Sequence, residues 1–370
     1  MKLAHLSDLH IGRRFGEFDL VEDQEYILEE IIDILKRKSV DVVMLAGDIY
    51  DKLNPSEQAF RMWNDFLVGL SKLDVDVLVI SGNHDSNERL GVGSTLLERS
   101  NIYIETHYTG ELQKVSYDNV DIYMMPFIKP SYVRNVDSEF SGRTYHEAVA
   151  QVLENVLLDR GKYNVLMAHQ FVVGRESSPI LSDSESLSVG GVDAVGVDLF
   201  DGFDYVALGH IHRPQSIVRD TVRYGGSILK YSFSEANHEK SIPIITIDDK
   251  LDIEFVPLIP KRDVRVIKGM FDDLYQQGVK EKSDDIIHAV LEDDASLYNP
   301  ITRLRAVYPN LLTLEFSGVK RENEGLRRAE DILDLDARSL INSFFEMQND
   351  RNLNNDEKEY LEELLERLDL

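Results

Sequence analysis

Two histidines, His210 and His212, stand two residues apart in "ALGHIHRPQ" (207–215), behind a glycine and an apolar run. In an extended segment, side chains at i and i+2 point the same way, so both rings would reach toward one point. Alone, the pair favours a metal over a polar strand end with two exposed imidazoles only weakly. Four further stretches decide the matter. "SDLH" supplies Asp8 and His10, and "GDIYD" supplies Asp48 and Asp51. "GNHD" supplies Asn83, His84 and Asp85, and "AHQ" supplies His169. Each of the five follows an apolar run at once, which chance solvation does not explain.

Oxygen and nitrogen donors without sulfur suit Mn, Fe or Zn and argue against a cage for calcium or magnesium alone. The set is rich enough for two ions. Asp8, His10, Asp48 and His212 can hold one; Asp48, Asn83, His169 and His210 can hold the other, with Asp48 bridging. Two carboxylates bring about −2 against roughly +4 from two divalent ions. The surplus can hold a bridging hydroxide and a phosphate oxygen, and a two-metal clamp of this kind hydrolyses phosphate esters. His84 need not be a ligand. Beside Asn83 on a strand tip it can face the scissile phosphate and donate a proton to, or stabilise, the leaving oxygen. Asp51 can accept from the other ring nitrogen of His84 and fix its tautomer, although a turn or helix cap is an equally natural use of an aspartate there. His5, His107, His146, His238 and His288 lack such settings and read as packing or surface histidines.

The elements that must carry these residues are legible as a pattern. Apolar runs at 2–6, 40–46, 75–81, 163–168 and 204–208 alternate with amphipathic stretches near 22–37, 56–72, 87–99 and 143–160. Such alternation predicts buried, largely parallel strands with helices between them. In open α/β sheets ligands bind beyond the carboxyl ends of the strands, where all five motifs fall. Hairpin signals at 114–125, turning at Asp118–Asn119, and at 242–258, turning near Asp248–Lys250, make the sheets mixed. Pro257 and Pro260 mark a break. Residues 262–320 then read as a small βαβαβ unit with strands near 263–268, 285–291 and 311–316. The expected domains are 1–258 for the catalytic part, 259–320 for a small α/β capping domain, and 321–370 for a linker and C-terminal helix pair.

The 370 residues suffice for two or three domains with a real core. No run approaches the ~18 apolar residues of a membrane span, and the N-terminus lacks a signal-peptide pattern, so a cytoplasmic protein is expected. There is no cysteine, which excludes disulfides, thiolate ligands and a cysteine nucleophile. With 40 Lys and Arg against 67 Asp and Glu, the net charge is −27. A polyanionic substrate must therefore be met by bound cations, a local basic patch or a partner subunit.

The ordered set Asp-x-His, Gly-Asp-x-x-Asp, Gly-Asn-His-Asp, a lone His and Gly-His-x-His resembles the calcineurin-like metallophosphoesterase superfamily. "HQFVVGRESSPILSDSESLSVGGVDAV" (169–195) and "FDGFDYVALGHIHRPQ" (200–215) narrow the resemblance to the SbcD-type nuclease subunits. That resemblance implies a four-layer α/β/β/α sandwich and two divalent ions, Mn2+ first among them. It implies 3′→5′ exonuclease action on double-stranded DNA and endonuclease action on single-stranded or hairpin DNA, in DNA end processing, repair and recombination. It also implies a homodimer inside a heterotetramer with an SMC-like ATPase, SbcC. Several relatives carry a histidine where this chain has Asp51, so a role belonging to that histidine does not transfer.

DNA contacts are expected from loops near the tips: Arg13, Arg14, Lys52, Arg89, Lys129, Arg134 and Arg175. "PFIKPSYVRN" (126–135) is the best local candidate, a proline-bounded loop with basic and aromatic groups. In the tail, Asp336 can cap a helix with the apolar face Leu340, Ile341, Phe344 and Phe345. Asp356 and Glu359 resemble a capping box ahead of Leu361, Leu364, Leu365 and Leu368. Two such short helices cannot hide both stripes on each other; they can dock on the chain's own domain or, in the sharper reading that fits the resemblance, clamp the base of a partner coiled coil. Met62, Phe66, Leu67, Leu90, Leu96 and Leu97 lie where the family forms its dimer interface, but burial against the chain's own sheet is expected for most of them. Two other readings stand beside the nuclease: a small-molecule phosphodiesterase or phosphatase on the same site, and a catalytically silent DNA-end scaffold.

Overall fold

A computed structural model describes residues 1–175, 177–185, 193–293 and 297–317. The chain opens with β1 (Lys2–Leu6), α1 (Val21–Lys38), β2 (Val42–Ala46), α2 (Glu57–Ser71), β3 (Asp76–Ile80) and β4 (Ile102–Glu105). A second series follows: β5 (Gln113–Ser116), β6 (Val120–Met124), α3 (Pro130–Val136), α4 (Tyr145–Glu154), β7 (Tyr163–His169) and β8 (Tyr205–Gly209). Then come β9 (Gln215–Ile217), β10 (Arg219–Tyr224), β11 (Ser241–Ile247) and β12 (Leu251–Pro257). Last come β13 (Val264–Gly269), α5 (Phe271–Lys280), β14 (Ile286–Leu291), α6 (Pro300–Arg305) and β15 (Leu311–Phe316), with shorter strands and helical turns in the connections.

Two six-stranded sheets form, in the orders β12-β11-β1-β2-β3-β4 and β9-β10-β8-β7-β6-β5. Parallel pairing of β1 with β2, β2 with β3, and β7 with β8 puts the five motif-bearing strand ends in line. The hairpins β5–β6 and β11–β12 are antiparallel, so both sheets are mixed. Every residue of β2, "VVMLA", is buried, as expected for a strand covered on both faces. Leu3, Met44, Leu78 and Ile80 of one sheet join Ile122, Met124, Met167 and Ala207 of the other in one fully buried cluster. Burying each large side chain stabilises the sandwich by about 1.5–3 kcal/mol. On the outer face of the first sheet, α1 and α2 bury Ile27, Ile31, Phe66 and Leu70. On the outer face of the second, α3 and α4 bury Val133, Val149 and Val152. The result is the expected α/β/β/α sandwich. Ser56 caps α2 by accepting from the Ala59 N–H, and Thr144 with Glu147 closes a capping box on α4.

The chain divides into two compact units. Among the described residues, the first comprises Met1–Val266, Ser283–His288 and Tyr308–Leu312; the second comprises Ile267–Lys282, 289–293, 297–307 and 313–317. Strands β13, β14 and β15 form a three-stranded sheet in that order. Within the second unit the Arg303 guanidinium lies 4.1 Å from the centre of the Phe271 ring.

One expectation fails locally, and one falls outside the described residues. The amphipathic stretch near 87–99 is not one helix; it breaks into Asn87–Leu90 and Ser94–Leu97, separated by Gly91 and Gly93, the latter at φ 78°. The break turns Leu96 outward, 69% exposed, whereas Met62, Phe66, Leu67 and Leu90 are buried. The C-terminal stripes from Leu340 to Leu368 lie outside the described residues. Among the described residues no helix is long and apolar enough to cross a membrane.

Candidate metal centre

The site is assembled by tight turns at the strand ends. Asp8, His10, Asp48 and His210 all adopt positive φ, at 52°, 45°, 51° and 106°. Such backbone costs on the order of 1–3 kcal/mol per residue and persists where the surroundings over-determine it. The turns after β1 and β2 hold each other: the Asp8 and His10 N–H groups donate to the Gly47 and Asp48 carbonyls at 3.0 Å each. The glycines in Gly-Asp and Gly-His are steric requirements. A Cβ on Gly47 would collide with the His169 ring, and one on Gly209 with the Ala46 carbonyl.

The seven expected ligands converge. Asp8, His10 and His212 bring donor atoms within 4.8 Å of one another, and so do Asp8, Asp48 and His169. His10 Nε2 and His212 Nε2 face each other at 3.0 Å. Asn83 Oδ1 lies 3.0 Å from His169 Nε2 and 2.8 Å from His210 Nδ1. Asp48 Oδ2 stands between the two groups, 3.7 Å from His10 Nε2 and 3.4 Å from His169 Nε2. The expectation that His210 and His212 reach one point is corrected. β8 ends at Gly209 and His210 leaves the extended region, so the two rings part: His210 toward Asn83, His212 toward His10.

Asp8 and Asp48 are buried, and among the described residues no lysine or arginine pairs with either. A buried ionised carboxylate is stable only when it is paired, hydrogen-bonded or bound to a metal. Among the described residues the side chains paired with Asp48 are imidazoles, so the donor set fits divalent metal ions. Burial raises the Asp8 carboxyl above its usual range. For Asp48 burial acts in the same sense, but His169 and His10 outweigh it and hold the group well below that range. Burial tends to lower His169, yet the charge of Asp48 pushes it up to about 9.

His84 is half-buried at the rim, its ring 5.0 Å from that of His10. Its N–H donates to Asp48 Oδ1 at 2.8 Å. The expected carboxylate contact of Asp51 is corrected. His84 Nδ1 meets the Asp51 main-chain carbonyl at 2.9 Å, while the Asp51 carboxylate pairs with Arg13 at 2.9 Å. A carbonyl only accepts, so Nδ1 carries a proton and Nε2 is the atom left for chemistry.

Sequence reading missed the groups behind the ligands. The buried Asp85 accepts from the Ile49, Tyr50 and Gly82 N–H groups at 3.1, 2.9 and 2.9 Å, tying the turns after β2 and β3 together. Burial and the charge of Asp48 push its carboxyl up to about 6. Ser184, Glu185, Glu235 and Lys240 surround His212. Only Asp85 had a visible signal, as the fourth letter of "GNHD".

The basic candidates diverge in setting. Arg13 is committed to Asp51 and lies over Tyr231 at 5.5 Å. Arg14 pairs with Asp19 at 3.5 Å, Lys129 lies over Tyr132 at 4.6 Å, and Arg134 donates to the Gly142 carbonyl at 2.7 Å. Lys52, Arg89 and Arg175 are exposed.

A sandwich with this donor set at its strand ends defines a metal-dependent phosphoesterase. The family model described as calcineurin-like phosphoesterase matches residues 1–214, and that of the type 5 capsule protein repressor C-terminal domain matches residues 260–349. The SbcD subunit of the SbcCD nuclease of Staphylococcus epidermidis is 33% identical over 372 residues, covering 99% of this chain and 98% of that protein. Among solved structures, a dimetal phosphatase from Danio rerio aligns over 70% of this chain and 96% of its own at 13% identity and a TM-score of 0.43. GAP50, the anchor in the inner membrane complex of Plasmodium, aligns over 70% and 84% at 11% identity and a TM-score of 0.39. The chain belongs to the calcineurin-like phosphoesterase family and, within it, to the SbcD-type nuclease subunits; it is a metal-dependent hydrolase.

Proposed function

We propose that the chain is the nuclease subunit of an SbcCD-type complex. It hydrolyses DNA phosphodiesters with two Mn2+ ions, as a 3′→5′ exonuclease on duplex ends and an endonuclease on single-stranded or hairpin DNA. The observation that carries this reading is the convergence of six oxygen- and nitrogen-donor residues around Asp48, with His84 at the rim. Asp8, His10, Asp48 and His212 would hold one ion; Asp48, Asn83, His169 and His210 the other. Bound there, the ions supply Lewis-acid activation of water and of the phosphate. The chain's own groups do the rest. His169 donates Nδ1–H to the Ala46 carbonyl at 2.8 Å, so Nε2 is the nitrogen that would face the ion. His84, with Nδ1–H held by the Asp51 carbonyl, offers Nε2 to the leaving oxygen.

DNA reaches the site against a charge of −27, so the basic groups at the rim and the ATPase partner SbcC supply the non-specific affinity. The stripes Leu340–Phe345 and Leu361–Leu368 are assigned to the ATPase contact. The test is Mn2+-dependent degradation of linear duplex DNA by the purified chain, alone and with SbcC plus ATP. Degradation that requires Mn2+ supports the reading. Hydrolysis of bis-p-nitrophenyl phosphate with no action on DNA would return the small-molecule phosphodiesterase. Deletion of residues 330–370 should keep nuclease activity and abolish co-purification with SbcC.

A further inference from the structure

His212 is gripped from behind by groups that come from two distant parts of the chain. Its Nδ1 lies 2.8 Å from Ser184 Oγ and 3.2 Å from Glu235 Oε1. Ser184 Oγ donates to Glu235 Oε1 at 2.5 Å. Glu235 is wholly buried, and its Oε2 accepts from Lys240 Nζ at 2.6 Å. Lys240 also donates to Ser227 Oγ at 2.7 Å and to the His212 carbonyl at 2.8 Å. Ser184 itself is held in place. Ile180 exchanges two 2.9 Å bonds with the Gln215 side chain, and the Asp183 N–H donates to Ser234 Oγ at 2.9 Å. Glu185 accepts the His212 N–H from the same segment.

The donors and acceptors fit in one direction only. The ion pair with Lys240 makes Glu235 a pure acceptor, and the Ser184 hydroxyl spends its proton on that carboxylate. The remaining hydrogen bond, to His212 Nδ1, must then take its proton from the imidazole. A neutral ring with Nδ1–H carries its lone pair on Nε2, and Nε2 is the atom that faces His10.

We propose that Glu235 and Ser184 are positioning residues that lock His212 in its Nδ1–H tautomer and so set the affinity of the ion shared by Asp8, His10 and His212. The proposal rests on the metal-centre reading above and extends it to groups outside the ligand set. Partners of this kind behind a metal-bound histidine are worth about 10–100-fold in metal affinity.

The test uses the full-length chain and two variants. Ser184→Ala removes the hydroxyl step. Glu235→Gln combined with Lys240→Met removes the carboxylate without leaving a buried lysine unpaired, and its thermal unfolding is followed beside the wild type. Ring tautomers are read in the metal-free protein by 15N NMR of histidine-labelled chain, with the His212 signal assigned by its loss in His212→Gln. Mn2+ binding is read by equilibrium dialysis. The wild type should show His212 as Nδ1–H. The double variant should show a mixture of tautomers and bind one of two ions about 10–100-fold more weakly, the other unchanged. Ser184→Ala should lose less, because Glu235 remains 3.2 Å from Nδ1. An Nε2–H tautomer in the wild type, or two ions held as tightly by a folded double variant, would overturn the proposal. A wild type that holds no Mn2+ would overturn the metal-centre reading instead, and the tautomer would still decide this inference.

Discussion

The two halves of the centre share Asp48 but are braced by different means. Around Asn83, one amide oxygen meets two imidazoles, and the far nitrogen of His169 is fixed by a main-chain carbonyl of β2. That brace belongs to a fully buried strand, so no further side chain has to be ordered to make it. Around His10 the bracing comes from side chains and is incomplete. Among the described residues, His10 Nδ1 is buried without a hydrogen-bond partner; the Asp51 carboxylate lies 3.7 Å away and is committed to Arg13. His212 is held by Ser184 from a loop and by Glu235 from the short 3-10 helix Phe233–Glu235. Ordering side chains costs conformational entropy that a strand carbonyl does not. The comparison therefore predicts a tighter ion in the Asn83 half and a more exchangeable one in the His10 half.

The largest effect should come from the residue the halves share. Asp48→Ala should abolish tight binding of both ions and reduce hydrolysis to background, because it removes one ligand from each. Metal content of the purified variant, compared with that of His10→Ala, checks this. Equal stoichiometry in the two would sink the bridging assignment. Next comes His84→Ala, which should keep both ions and lose about 10²–10⁴-fold in activity, the usual range for an acid–base group. Loss of an ion would make His84 a ligand. A smaller effect separates the halves themselves. His169→Ala and His10→Ala should each weaken mainly one ion. Graded chelation of the wild type should remove first the ion that His10→Ala loses, with affinities about tenfold apart, or roughly 1.4 kcal/mol. Simultaneous release would erase the proposed asymmetry.

The sequence showed the candidate donors better than the groups behind them, for a physical reason. The donors follow apolar runs directly, so Asp8, Asp48, Asn83, His169 and His210 are legible from local pattern alone. Strands expected near 263–268, 285–291 and 311–316 formed at Val264–Gly269, Ile286–Leu291 and Leu311–Phe316, because alternation and turn residues are also local signals. Glu235 lies 23 residues beyond His212, and Ser184 lies 28 before it. Nothing in the intervening sequence sets those distances; the loops that close them are products of tertiary folding. The positive φ of His210 is likewise invisible in a residue type that ordinarily avoids it, which is why the two imidazoles of Gly-His-x-His were expected to share one target. At 87–99 the apolar spacing masked two glycines that break the helix.

The smallest expected effect concerns Asp51, and it probes the incomplete brace directly. The main-chain carbonyl of Asp51, not its carboxylate, holds His84 Nδ1, so Asp51→Asn should leave the His84 tautomer intact. The substitution removes the ion pair with Arg13, whose side chain is 17% exposed against 11% for Asp51. Removing one charge of a largely buried pair costs up to about 3–5 kcal/mol, less where the replacement still accepts a hydrogen bond as asparagine does, so the unfolding midpoint should fall while the site chemistry is kept. If His10 Nδ1 has no working partner, the His10 half should hold its ion as before, and activity should stay within about threefold, less than 1 kcal/mol of barrier. The measurement is a Mn2+ titration of Asp51→Asn beside the wild type, with the nuclease rate at saturating metal. A tenfold or greater loss of one ion would show that Asp51 closes the 3.7 Å gap to His10 when metal binds. That outcome would make the two halves equally braced and remove the reason for their different affinities.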